Sequence, residues 1–150
     1  MAVKFTRSIH RSAVVAGIVL GMLSLSAHAA NITVTVDGLR NANGTVRLQL
    51  DGSDAAWNNK DKPTAMGNVQ AAVGAVSYTF KDVPPGTYGL SVYQDEDNSG
   101  KLRVNVIGVP KEGYGFSNNL SLMRAPTFRE AQFTVADQDA TVLIHLKHGL

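Results

Sequence analysis

Apolar side chains recur at every second position in six separate runs, and a period of two admits only extended backbone. Ile32, Val34 and Val36 alternate with Thr33, Thr35 and Asp37, and Val46, Leu48 and Leu50 alternate with Thr45, Arg47 and Gln49. The same rhythm returns at Val76, Tyr78 and Phe80, and again at Tyr88, Leu90 and Val92. It closes with Phe133 and Val135, then Val142, Ile144 and Leu146. Successive side chains of a strand point to opposite faces, so each run predicts a strand with one face toward a core and one toward water. No stretch after the first thirty residues sustains a helical period over three turns.

The connections carry turn chemistry. Asn43-Gly44, between the first two runs, reads as a hairpin turn because both residue types tolerate positive φ. In Asp82-Val83-Pro84-Pro85-Gly86-Thr87, Pro85 presets φ at the second turn position and Gly86 is expected to supply the positive φ of a type II turn. Asp137-Gln138-Asp139 separates the last two runs. Two segments break the rhythm: residues 51–66, which hold the sole tryptophan, Trp57, and residues 94–128. A loop as long as the second is usually functional or disordered, and Tyr114, Phe116 and Phe128 argue against disorder. Many short strands without crossover helices predict an all-β, antiparallel β-sandwich of about seven strands, with 94–128 as one long structured loop.

The amino-terminal segment belongs to a different phase of the protein's life. Lys4, Arg7 and Arg11 precede eleven residues, Ala13 to Leu23, that have no polar side chain, and Ala27-His28-Ala29 follows. A charged start, a short apolar stretch and an A-x-A end predict a cleavable signal peptide at 1–29 and a single domain at 30–150. The apolar stretch is shorter than the roughly 20 residues that span a bilayer. With no cysteine in the chain, a lipid anchor after the cut, disulfides and thiolate chemistry are all excluded. From residue 30 onward, eleven basic side chains face twelve acidic ones. Such a near-neutral domain lacks the basic stripe that nucleic acid requires.

Two places within 94–128 carry candidate chemistry. Asp95, Asp97 and Ser99 alternate ahead of Gly100, the pattern by which a chain wraps a hard cation, with Asn105 as a further oxygen. These residues make a weak calcium site the one cofactor to consider, opposed by the positive charge of Arg103 in its midst. The residue twelve places into the loop is Val106, which excludes a helix-loop-helix calcium site. The other place is Gly108 to Asn119, where interleaved glycines and aromatics form a candidate ligand surface of Glu112, Tyr114, Phe116, Asn118 and Asn119. Tyr114 and Phe116 either present a stacking platform or turn inward to seal the sandwich, the commoner use of such rings. Catalytic parts are few. His145 and His148, three apart on a strand, fall on opposite faces and make no chelating pair. Without cysteine, a paired-histidine motif or a serine elbow, no catalytic residue is assigned and a non-enzyme is expected.

Val83-Pro84-Pro85-Gly86-Thr87-Tyr88 followed by an alternating strand resembles the transthyretin-like (prealbumin-like, Ig-like) sandwiches of secreted proteins. More narrowly, Asp95 to Lys101, Gly108 to Asn119, and Ala125-Pro126-Thr127-Phe128 with Ala131 and Phe133 resemble a bacterial exported family, domain of unknown function 2141. Members of that family usually carry histidine where this chain has Gln94, asparagine at Ser99 and aspartate at Arg103. The resemblance implies a bacterial source and a periplasmic or secreted location, and it brings no activity with it.

The resulting expectation is a non-catalytic exported binding or accessory module, monomeric by default, that uses the 94–128 loop. Its partner would be a small molecule, a glycan or an envelope protein, with no nucleic acid and no membrane span after cleavage. The alternative is a purely structural cell-envelope protein with a vestigial calcium loop. A hydrolase of unrecognised type is the least favoured reading.

Overall fold

The structure, a computed structural model, describes residues 28–120, 122 and 124–149. The leader expected at 1–29 therefore lies, but for its last two residues, outside the described residues. Among these residues there are eight strands: β1 (Ala30–Leu39), β2 (Thr45–Asp51), β3 (Ala65–Gln70), β4 (Gly74–Val83), β5 (Gly86–Asp95), β6 (Tyr114–Phe116), β7 (Phe133–Val135) and β8 (Ala140–His145). Two short helices, α1 (Asp54–Trp57) and α2 (Phe128–Ala131), complete the set with a 3₁₀ turn at Ser117–Asn119. No helix among them is long and apolar enough to cross a membrane.

The strands form two sheets, β4-β1-β8 and β3-β2-β5-β6, the second extended by β7 on β5. The pairings are antiparallel except β1 with β8, which is parallel. The inward residues of both sheets make one core. Ile32, Val34, Val36, Phe80 and Ile144 from the first sheet meet Val46, Leu48, Leu50, Leu90 and Val92 from the second. Burying each of these apolar side chains is worth about 1.5–3 kcal/mol, so the alternation selects this arrangement over any register shifted by one residue. The domain is an all-β sandwich, as the periodicity predicts. Among the described residues, every core side chain lies between Ala30 and Leu146.

The turns connect differently from the sequence expectation. β1 and β2 lie in opposite sheets, so Asn43-Gly44 is an arch between layers and not a hairpin. Gly44 does adopt φ +68°, but Asn43 is not left-handed, and the reason for glycine is proximity. A Cβ at residue 44 would sit 1.9 Å from the Asp95 carbonyl oxygen. The β4–β5 connection also crosses between sheets, and its left-handed residue is Asp82 (φ 54°), not Gly86, so the type II turn is corrected. β7 to β8 crosses as well.

Strand β3 falls inside and just beyond a segment read as irregular. Its inward positions are Ala65, Gly67 and Val69, too small to announce a strand. The vacancy at Gly67 is filled from across the sandwich, because a Cβ there would meet the Tyr78 ring at 2.4 Å. Two short strands share the outer edge of β5: β7 pairs with Gly86–Tyr88 and β6 with Ser91–Tyr93. In the gap between them the Leu90 N–H donates to the Ser117 hydroxyl at 3.0 Å.

Candidate functional site

Both candidate places sit at the end of β5, where the chain leaves the sheet at Asp95 and returns at Tyr114. Asp95 is fully buried. One of its oxygens accepts the Ser99 N–H at 2.9 Å; the other accepts the Gly100 N–H at 2.8 Å and Arg47 Nε of β2 at 2.6 Å. Burial alone would raise its pKa; the Arg47 guanidinium and the two N–H groups outweigh that and hold it below the usual carboxylate range. Asp97 Oδ1 also accepts the Ser99 N–H, at 3.1 Å.

The returning leg supplies a second buried carboxylate, Glu112. Its oxygens accept the Glu96 N–H at 3.1 Å, the Arg103 N–H at 2.9 Å and Arg103 Nε at 2.9 Å. Arg103 Nε lies 3.2 Å from Asp97 Oδ2 as well. Asp95, Asp97 and Glu112 thus bring one oxygen each within 4.8 Å of one another. The Glu112 hydrogen bond strengthens the hold of Arg103 on its proton. This guanidinium already occupies the charge-balancing role between Asp97 and Glu112 that a cation would fill.

The sequence-derived ligand set is only partly assembled. Asp95 and Asp97 converge, and the Ser99 hydroxyl has two acceptors for its one proton, Asp95 Oδ1 at 3.3 Å and the Lys101 carbonyl at 3.2 Å. The Asn105 Oδ1 accepts the Ile107 and Val109 N–H groups at 3.0 and 2.9 Å and is engaged within its own turn. Glu112, expected on the ligand surface, is instead the third carboxylate of the cluster. Its signal in the sequence was its solitude as the sole acid between Asn98 and Arg129. Arg47 gave no such signal, because its pairing with Asp95 depends on the β2–β5 register. Gln94 is buried with its Nε2 on Asn41 and Asn43, and its Oε1 has no hydrogen-bond partner among the described residues.

Beyond the cluster, residues 103–111 fold as a small hairpin. The Lys111 N–H donates to the Arg103 carbonyl at 2.9 Å, Val104 bridges Pro110, and the Asn105 N–H donates to the Val109 carbonyl at 2.8 Å. One side of this hairpin, with Val104, Ile107, Val109 and Pro110, faces Tyr114 and Phe116 across an open groove of about 460 Å³ that Leu102, Leu122 and Arg124 also line, while Val106 lies outside it. Tyr114 and Phe116 are half-buried and meet edge to face, 6.1 Å apart at 69°. They neither seal the core nor offer one flat platform. Phe116 also packs 5.9 Å from Trp57, whose Nε1 donates to the Pro126 carbonyl at 2.9 Å. Gly89 makes room for this aromatic group, since a Cβ there would meet the Trp57 ring at 2.9 Å.

Asn118 and Asn119 do not face the groove. Asn118 Nδ2 donates to the Glu130 and Gln132 carbonyls at 2.9 and 3.1 Å. Asn119 donates to the Leu143 carbonyl and accepts the His145 N–H, both at 2.8 Å, and so covers the free edge of β8 as another strand would. They border a separate, polar hollow of about 400 Å³ between β7 and β8. His145 Nδ1 is 2.6 Å from Asp37 Oδ1, and His148 Nε2 is 2.8 Å from the Gly38 carbonyl. The buried Ser117 hydroxyl is engaged by Leu90 and Ala131 backbone groups, and no serine is bonded to His145 among the described residues.

Residues 34–143 match the family model described as "Uncharacterized protein conserved in bacteria (DUF2141)". The chain belongs to that bacterial family. No curated protein and no solved structure matches it.

Proposed function

We propose that this chain is a non-catalytic binding module of the bacterial cell envelope, exported by residues 1–29, which takes the apolar body of a small molecule between the 103–111 hairpin and the Tyr114–Phe116 strand. The observation that carries the reading is the groove itself. Its volume of about 460 Å³ lies in the range of sites that hold small ligands, and its walls are aliphatic on one side and aromatic on the other. Sugar stacking would favour a broad ring face. Tyr114 and Phe116 present two rings at 69° instead, which supports an apolar ligand over a glycan.

Trp57 reports on this groove through its contact with Phe116. Titrating the chain from residue 30 onward with 1-anilinonaphthalene-8-sulfonate should quench or shift Trp57 emission saturably. Phe116→Ala should weaken the probe by about tenfold, with the melting transition still cooperative. A wild type that leaves the probe in solution, or a variant that binds it equally well, removes the reading.

A purely structural role is the second reading, favoured by the acidic cluster, whose buried carboxylates are already engaged by Arg47, Arg103 and backbone donors. It expects no saturable probe binding at all.

A further inference from the structure

We propose that the tip of the 103–111 hairpin docks the protein onto the surface of an anionic lipid bilayer. Val106 is fully exposed and Ile107 is 78% exposed, with Val104 half-exposed beneath them. Val106 and Ile107, side by side on the turn, are the most exposed large apolar side chains among the described residues, ahead of Val73 at 72% and Met66 at 62%. The backbone of the tip is already prepared for an apolar environment. Asn105 accepts the Ile107 and Val109 N–H groups on its side chain and the Gly108 N–H on its carbonyl. Three donors that would oppose transfer out of water are therefore satisfied within the turn.

The free charge at the base of the hairpin has the matching sign. Residues 95–125 hold Lys101, Arg103, Lys111 and Arg124 against Asp95, Glu96, Asp97 and Glu112. The acids are engaged within the fold: Asp95 by Arg47, Glu96 by the Asn41 amide, and Asp97 and Glu112 by Arg103. Arg103 is matched by Asp97 and Glu112, and Arg124 by Glu130. Lys101 and Lys111 have no ion pair among the described residues and flank the base of the hairpin, Lys111 directly opposite Arg103. Basic side chains at the base and aliphatic ones at the tip are the order that a headgroup layer and the acyl region beneath it present. At roughly 3.3 Å per residue the tip projects about 7–10 Å beyond Arg103 and Lys111. Interfacial segments bury about 5–10 Å.

A protein groove is the less suitable occupant. Hot spots between proteins are rich in Trp, Tyr and Arg and poor in Lys, whereas the exposed side chains of this tip are the aliphatic Val106 and Ile107, flanked by lysines.

The test is co-flotation of the chain from residue 30 onward with vesicles of phosphatidylglycerol, and with vesicles of phosphatidylcholine alone. The wild type should float with the first, at least about tenfold more weakly with the second, and less as salt is raised. Val106→Asp touches no buried contact and should lower partitioning by about tenfold or more. Lys101→Gln with Lys111→Gln should remove the preference for the anionic vesicles. Phe116→Ala should float like wild type, which separates this proposal from the groove. A wild type that stays with the soluble fraction overturns it, as does a Val106→Asp variant that floats unchanged. Self-association of the wild type that Val106→Asp abolishes, without vesicle binding, overturns it in favour of a second copy as the occupant.

Discussion

Arg103 sits 3.2 Å from Asp97 and 2.9 Å from Glu112, so the repulsion among three carboxylates is answered by a side chain of the protein. A cation in the same place would have to displace that guanidinium. The wild-type melting temperature should therefore be the same in calcium and in chelator. Arg103→Asp leaves the buried Glu112 with backbone donors alone, sets a fourth carboxylate beside Asp97, and should lower the melting temperature in chelator. With calcium at about a hundred times its dissociation constant the variant should regain roughly 2.7 kcal/mol, a rise on the order of 10 °C. Thermal unfolding of both proteins decides it; a calcium-dependent wild type would show that the arginine is not the counter-ion. Asp51 makes the opposite case. It is buried, and desolvation raises its pKa against the weaker pull of its Gln49 hydrogen bonds. A carboxyl with a raised folded pKa is unpenalised below its unfolded value, near 3.8, and destabilises the fold as pH climbs through the folded value. Asp51→Asn should therefore be more stable than wild type at neutral pH and lose that advantage below pH 3.8. Urea midpoints across pH 3–8 measure it, and an advantage that persists in acid would assign the effect to packing.

At the level of elements, periodicity and topology part company. The alternation named the buried face of β1 and β2 residue by residue: Ile32, Val34, Val36, Val46, Leu48 and Leu50 are all in the core. It said nothing about which strand lies beside which, because inward residues have the same spacing in a hairpin and in an arch between sheets. Turn residues are equally ambiguous, since a sharp reversal needs small or left-handed positions in either case. Gly44 distinguishes the two. In a two-residue hairpin turn of the kind that Asn-Gly favours, Asn43 and Gly44 would both take positive φ and both would matter. In the arch, Gly44 alone is left-handed, pressed on the Asp95 and Glu96 backbone. Gly44→Ala should therefore cost about 3 kcal/mol or more, because neither backbone can yield. Asn43→Ala should stay within about 0.5 kcal/mol. Denaturant titration of the pair would contradict the arch if the two losses were alike. The candidate sites were legible to a similar degree. Asp95 and Asp97 announced themselves by spacing, but Glu112 joined them only through the return of a leg fifteen residues later, and Arg47 only through a register. The groove was foreshadowed by Tyr114 and Phe116, and its aliphatic wall became visible only once the 103–111 hairpin folded beside them.

For the whole molecule, the position of β1 bears on the proposed removal of a leader. β1 is the first strand and also the centre of its sheet, flanked by β4 and by the carboxy-terminal strand β8. Its first residue, Ala30, is buried and pairs with Val83, and the Asn31 N–H donates to Asp139 Oδ1 at 2.8 Å. A cut after Ala29 leaves this central strand whole. A cut even two residues later would remove Ala30 from the core and Asn31 from Asp139. If residues 1–29 are the export leader proposed above, the small residues at Ala27 and Ala29 would put its recognition site at the same boundary. We therefore predict that the exported protein begins at Ala30 and holds 121 of the 150 residues. Intact-mass measurement of protein released from the cell envelope tests this directly. A second arm changes the recognition site and leaves the fold untouched: Ala29→Arg lies before the first strand and introduces a large charged side chain where a small one is required. It should accumulate uncut precursor that stays with the membrane fraction, held by the apolar residues Ala13 to Leu23. A mature terminus inside β1, a retained leader in the wild type, or normal release of Ala29→Arg would each mean that strand and cleavage site do not share this boundary.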